Sequence, residues 1–336
     1  MSCRITVVGD GAMGTICAIM LAENGHGVRL WSAFPEAAAE LAATRENRRF
    51  LPGPRLHEDI EVTGDDSAAF DQAELVISAV PTQFVRAVWQ RLAPHCPADL
   101  PICSVAKGIE NKTLLRPSQV LVEVLDGSVN SNRPVAVLSG PSIAPEVVRK
   151  LPATVAVAAT IEQLAVRMQE YISRPYFRVY TNPDMVGVEI AGATKNVIAI
   201  ATGVLDGLAA GDNAKAALLS RGLAEITRLG VALGALAETF AGLAGVGDLV
   251  TTCISPVGRN RSFGQAIGRG QSLEQALEAT DSVIEGVATT KSVVELADKL
   301  NVEMPITQAV HDVLFAGGKP ADAIARLMRR PLRAET

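Results

Sequence analysis

The sequence predicts an α/β protein: a doubly wound sheet first, then an all-α domain. Three observations carry this expectation. A β-branched run near the N-terminus leads straight into a glycine-rich string and then an apolar-periodic segment. Short strand-like runs recur through the first half, with helical patterns between several of them. From about residue 184 onward strand signals almost vanish, and long Ala/Leu/Gly-rich helical patterns take over. Alternation of the two periods implies βαβ units, and loss of the period of two implies a separate helical layer.

Taken in order, Arg4-Ile5-Thr6-Val7-Val8 has the continuous apolar, β-branched character of a strand buried on both faces. Gly9-Asp10-Gly11-Ala12-Met13-Gly14 follows at once. Thr15 to Asn24 reads as a helix that Gly25 stops, and Val28 to Trp31 reads as a second strand. A G-x-G-x-x-G string alone is weak evidence, since glycines also punctuate ordinary turns. Here it lies between a strand and a helix, where its glycines allow a tight turn and close approach of backbone to a pyrophosphate at the helix N-terminus. Further strands are expected at Leu75–Val80, Pro101–Val105, Val135–Leu138, Thr154–Val157 and Phe177–Tyr180. Asn182-Pro183-Asp184 supplies a turn and a helix start. The expected division is therefore a Rossmann-type NAD(P)-binding domain over 1–183 and a helical substrate-binding domain over 184–336. Helical patterns in the second part cover 185–209, 213–233, 261–269, 272–279, 286–300, 305–315 and 319–330.

Composition narrows the function. At about 150 residues per domain, a chain of 336 residues suggests two domains. The net charge of −5 and the absence of a basic stripe argue against nucleic acid as a partner. Mean hydropathy is high at +0.24. No stretch reaches the about 18 uncharged apolar residues of a membrane helix, because Glu189 and Lys195 interrupt the most apolar region. A soluble protein with no membrane partner is expected. The five cysteines are odd in number, scattered, and without a Cys-x-x-Cys pair, which fits reduced thiols in the cytoplasm. No signal-peptide segment is visible after Ser2-Cys3-Arg4. None of the four histidines joins a candidate cluster, and no spacing suggests a metal site.

Several residues are candidates for chemistry. Only eight of the 31 basic residues are lysines, and two of these stand in unusual places. Lys107 follows a strand, at the edge where open α/β sheets bind ligands. Lys195 lies in the helical run Ala191-Gly192-Ala193-Thr194-Lys195-Asn196-Val197. A desolvated lysine can release a proton near neutral pH, which arginine cannot, and a carbonyl being reduced needs a proton donor. A lysine that snorkels from an apolar face to water is the alternative. Gly140-Pro141-Ser142 follows another strand and is either a ligand loop or a plain turn into a helix. Asp248 follows a glycine-rich stretch, and eleven residues on Arg259-Asn260 offers a fork for a phosphate or carboxylate, or else a solvated pair.

The strand-two position that usually carries an acid for the ribose hydroxyls is filled by Leu30-Trp31-Ser32-Ala33. With no acid to reject a 2′-phosphate and no arginine to attract it, weak discrimination between NAD and NADP is expected.

Together these strings resemble the NAD(P)-dependent glycerol-3-phosphate dehydrogenase family in its bacterial form. The resemblance rests on Val8 to Thr15, Phe50-Leu51-Pro52-Gly53, Ala106-Lys107-Gly108-Ile109-Glu110 and Leu138-Ser139-Gly140-Pro141-Ser142. It continues through Phe177-Arg178-Val179-Tyr180, Lys195-Asn196-Val197, Gly247-Asp248-Leu249, Gly258-Arg259-Asn260-Arg261, Ile284-Glu285-Gly286 and Glu303-Met304-Pro305-Ile306. The resemblance implies reversible hydride transfer between sn-glycerol 3-phosphate and NAD(P)+, giving dihydroxyacetone phosphate and supplying phospholipid synthesis. It implies Lys195 and Lys107 as catalytic, and Lys107, Gly140, Ser142, Lys195, Asp248, Gly258, Arg259 and Asn260 as substrate-binding. The implied cofactor contacts are Gly9, Gly11, Ala12, Met13, Gly14, Ala33, Phe50, Lys107, Ala144, Arg259, Val283 and Glu285, with no metal. A homodimer is compatible with it.

Two departures stand out: Gly258 replaces the family's usual serine, leaving the backbone N–H to serve, and Ala33 replaces the usual Arg or His. A β-hydroxyacid dehydrogenase or ketopantoate reductase would lack the Gly-Asp-Leu and Arg-Asn strings. A non-catalytic NAD(P)H sensor would need the glycine loop but not both lysines.

Overall fold

The structure is a computed structural model, and it describes residues 2–280, 282–332 and 334. The chain opens with β1 (Arg4–Val8), α1 (Ala12–Glu23), β2 (Gly27–Trp31), α2 (Pro35–Thr44), β3 (Glu61–Thr63) and β4 (Leu75–Ser78). Then come α3 (Thr82–Leu92), β5 (Ile102–Ser104), α4 (Pro117–Asp126), β6 (Val135–Ser139), α5 (Ala144–Val148), β7 (Ala153–Ala159), α6 (Glu162–Ile172) and β8 (Phe177–Thr181). The strands form one sheet in the order β3-β2-β1-β4-β5-β6-β7-β8. All pairings are parallel except β6 with β7, where the chain turns back. The carboxyl ends of β1, β2, β4, β5 and β6 therefore share one edge. All seven strands expected from sequence form. The three-residue β3 was not among them.

The helical part comprises α7 (Met185–Gly207), α8 (Asp212–Ala232), α9 (Ala237–Phe240), α10 (Asp248–Ile254), α11 (Arg259–Gly268) and α12 (Leu273–Glu278). It ends with α13 (Glu285–Leu300), α14 (Pro305–Phe315) and α15 (Pro320–Met328). α9 and α10 were not expected. A wide turn over Leu243–Gly247 joins them, kinked at Gly245. Asp184 starts α7 as its cap, accepting from the Gly187 N–H at 2.8 Å.

α7 is the core of this part. Its length and mean hydropathy of 1.3 would suffice to cross a membrane, yet 94% of its most apolar window is buried inside the protein. Glu189, one of the two charges interrupting it, accepts from the Ser118 N–H at 3.0 Å and the Ser118 hydroxyl at 2.7 Å, and it also meets the Arg116 guanidinium. It thereby caps α4, so its charge is structural. α7 and α11 cross at glycines: a Cβ on Gly203 would stand 2.0 Å from the Arg261 carbonyl oxygen, and one on Gly264 would stand 2.1 Å from that of Ile200. Only bare backbone permits this approach, and it fixes the start of α11 relative to Lys195.

Candidate active site

At the carboxyl end of β1 the chain turns at Gly9, whose φ is +107°. A Cβ on Gly14 would lie 1.9 Å from the Gly9 carbonyl oxygen, so both glycines are required by the turn. A Cβ on Gly11 would meet nothing within 4 Å, which leaves an open cradle at the start of α1. No side chain caps that helix, and Ala12 and Met13 form its first turn. An uncapped helix N-terminus beside an open glycine is the arrangement a pyrophosphate occupies.

Phe50 belongs to the same edge. Asn47 donates to the Asp10 carbonyl at 2.6 Å and to the Thr15 hydroxyl at 2.8 Å, while its own oxygen accepts from the Phe50 N–H at 3.1 Å. Ala33, just past β2, accepts from Arg91 at 2.8 Å. The end of β2 does have a carboxylate beside it, because Asp10 accepts from the Ser32 hydroxyl at 2.9 Å.

The second cluster lies where the sheet edge meets α7 and α10. Lys107, in the loop after β5, donates to Asp248 at 2.8 Å and to the Gly140 carbonyl at 2.9 Å. Lys195 donates to the other Asp248 oxygen at 2.5 Å and to the Thr252 hydroxyl at 2.7 Å. Lys195 and Asp248 are buried, so Lys195 does not snorkel to water. Burial pushes the Lys195 ammonium down to about 8, the charge of Lys107 adds to this, and Asp248 opposes it. Burial also pushes the Asp248 carboxyl up, but Lys107 and Lys195 outweigh it and hold it below the ordinary range. Two ammonium groups share one carboxylate, so the cluster has surplus positive charge in a desolvated place. Such a site favours an anionic ligand and a proton transfer near neutral pH.

A line of hydrogen bonds ties this cluster to the helices behind it. The Gly286 N–H donates to Asn260 at 2.9 Å, Asn260 to Asn196 at 3.0 Å, and Asn196 to the Lys107 carbonyl at 3.0 Å. Asn260 thus acts on Lys107 through Asn196.

Comparison with known proteins matches this architecture to one family over nearly the whole chain. The model for the NAD-dependent glycerol-3-phosphate dehydrogenase N-terminus matches residues 4–165, and that for its C-terminus matches 184–325. The chain belongs to this family. A glycerol-3-phosphate dehydrogenase [NAD(P)+] of Geobacter sp. (strain M21) is 48% identical, over 100% of this chain and 99% of the relative. That of Geobacillus thermodenitrificans (strain NG80-2) is 49% identical over 99% and 96%. The crystal structure of glycerol-3-phosphate dehydrogenase from Coxiella burnetii superimposes with a TM-score of 0.92 at 39% identity, covering 98% of this chain and 99% of that one.

The structure gives the remaining positions picked out by the family resemblance their own partners. Arg259 begins α11 and donates to the Val283 carbonyl at 3.3 Å. Glu285 begins α13 and accepts from the Thr82 N–H at 2.9 Å, bridging from the helical part to α3. Its other oxygen and the Thr82 hydroxyl are buried, facing one another close to Gly108. The open glycine cradle and the uncapped start of α1 fit the pyrophosphate of a nicotinamide dinucleotide. Ser142 has its own Gly140 carbonyl as a partner at 3.1 Å, and Ala144 starts α5 nearby. The Gly258 N–H, expected to replace the missing serine, is instead engaged by the Ser255 carbonyl at 3.2 Å. Among the described residues no group of His, Cys, Asp and Glu could hold a metal.

Sequence reasoning assigned no role to Thr252, Thr82, Asn196 or Asn47. Thr252 was findable: it lies one helical turn after Asp248, but only once residues 248–254 are recognised as a helix.

Proposed function

We propose that this protein catalyses reversible hydride transfer between sn-glycerol 3-phosphate and a nicotinamide dinucleotide, with dihydroxyacetone phosphate as the ketone. The observation that carries the reading is the Lys107–Asp248–Lys195 cluster, with Lys195 and Asp248 buried, at the same sheet edge as the open glycine loop. Residues of 1–183 would hold the cofactor through Gly9, Gly11, Ala12, Met13, Gly14, Ala33, Phe50 and Ala144. Residues of 184–336 would close over it with Arg259, Val283 and Glu285. A nicotinamide bound there would supply the hydride to the substrate carbonyl carbon.

Lys195 holds the proton that the carbonyl oxygen needs as it becomes a hydroxyl, and takes it back in the oxidation. Asp248 keeps that ammonium aimed while lowering the cost of burying it. Lys107, bonded to the Gly140 carbonyl, orients the other side of the substrate, with Ser142 beside it. Arg259 and the uncapped start of α11 face the phosphate, and Asn260 holds that end against Asn196. The product suits a supply of glycerol phosphate for phospholipids. The five cysteines are all free thiols, which supports the cytoplasm as its place.

The test is a substrate screen that follows NAD(P)H absorbance. Oxidation of the reduced cofactor by dihydroxyacetone phosphate, but not by ketopantoate, is the expected result. The reverse would end the reading. Arg259→Met should raise KM for dihydroxyacetone phosphate by about 1.5–3 kcal/mol, roughly 10- to 150-fold, through loss of a charge-assisted bond. Unphosphorylated dihydroxyacetone should lose much less, since only the cofactor contact of Arg259 is common to both ketones, and equal losses on both would show that Arg259 does not hold the phosphate.

A further inference from the structure

We propose that Asp10 reads the adenosine ribose of the cofactor and makes this protein prefer NADH to NADPH. This rests on the reading above that a nicotinamide dinucleotide lies along the sheet edge. In this fold the ribose hydroxyls sit at the end of the second strand, where an acid usually receives them. Here that place holds Ser32, and the acid comes from the neighbouring loop.

The parallel register sets Val8 beside Trp31, so the residues just past each strand end meet. Asp10 Oδ2 accepts from the Ser32 hydroxyl at 2.9 Å. Ser32 is fully buried, whereas Asp10 is half-buried and open to the edge. Its backbone is pinned by Asn47 at 2.6 Å and by the Thr15 hydroxyl at 3.3 Å, so the carboxylate is preorganised. Among the described residues no donor reaches Oδ1, the oxygen left for a ribose hydroxyl.

The surrounding cations do not offset it. Arg91, the one touching Ala33, holds Asp66 with two bonds of 2.6 and 2.7 Å and stacks on Trp31. Arg48 pairs with Glu46 at 3.2 Å, and Arg49 lies over the Phe50 ring. Arg45 spends its guanidinium on the carbonyls of His57, Glu58 and Ile60. A 2′-phosphate would meet a fixed carboxylate, while three of these four arginines are held by carboxylates or carbonyls. A 2′-hydroxyl would instead donate to that carboxylate. The sequence alone, with no acid after the second strand, leads instead to weak discrimination.

The experiment is a fluorescence titration of NADH and NADPH against the purified protein, without substrate. The native protein should bind NADH at least tenfold more tightly. Asp10→Asn keeps the size and the Ser32 acceptor but removes the charge. It should tighten NADPH binding at least tenfold, while NADH binding changes by less. Asp10→Ser should move the ratio the same way, and melting curves would show that both variants fold. A native preference for NADPH, or a ratio that both variants leave within twofold, would overturn the assignment of Asp10 alone. Binding of neither cofactor would overturn the function as well.

Discussion

Lys195→Met should lower kcat for dihydroxyacetone phosphate reduction by at least ~10², and up to ~10⁴, with NADH affinity retained. The substitution keeps the volume and removes the only proton that Lys195 can give. It should not unfold the site, because Asp248 keeps its bond to Lys107 at 2.8 Å and no buried charge is left unpaired. The pH profile offers a second readout. Burial has pushed the Lys195 ammonium down to about 8. Ketone reduction requires the protonated form, so its rate should fall as pH rises through that value. Oxidation of glycerol 3-phosphate requires the neutral amine, so its rate should rise through the same region. Both limbs should vanish in the variant. Near-normal turnover in Lys195→Met would show that another group carries the proton.

Lys195 also shows how far the sequence could be read. Two charges interrupt the apolar run of α7, and composition treats them alike. One reaches the Lys107–Asp248 cluster, while the other caps α4 from 71 residues away. A charge in an apolar helix signals a partner, but the partner's identity is a tertiary fact. The strands were legible because each is a short β-branched or apolar run bounded by turn residues. β3 was not, since Glu61-Val62-Thr63 is a three-residue edge with no such run. The antiparallel turn from β6 to β7 escaped for another reason: strand direction is set by pairing, which no local pattern records. The glycines of residues 242–247 hid α10, and with it the helical spacing that brings Thr252 over Asp248. The sequence singles out no role for Asp10, because its partner, Ser32, is 22 residues away.

Asp248→Asn is expected to be the most damaging single change to the site. Asp248 is buried and bonds both lysines, Lys107 at 2.8 Å and Lys195 at 2.5 Å. An amide would leave two ammonium groups facing each other with no compensating charge. Breaking a buried ion pair by removing one partner costs about 3–5 kcal/mol, more than the pair itself contributes. Urea unfolding should show a loss of that size at neutral pH. The strain lies mainly between the lysines, so neutralising one should relieve it. Raising the pH would do so in part, since Lys107 pushes the Lys195 ammonium down and Asp248 no longer holds it up. Adding Lys195→Met should do so more fully, making the double variant more stable than Asp248→Asn alone although it carries one more lesion. Turnover would separate the two roles. Asp248→Asn should lose kcat because Lys195 is no longer aimed, and Lys195→Met should lose nearly the same amount with little loss of stability. Strictly additive stabilities across this cycle would mean that the lysines do not interact through Asp248, and the electrostatic account of the site would fail.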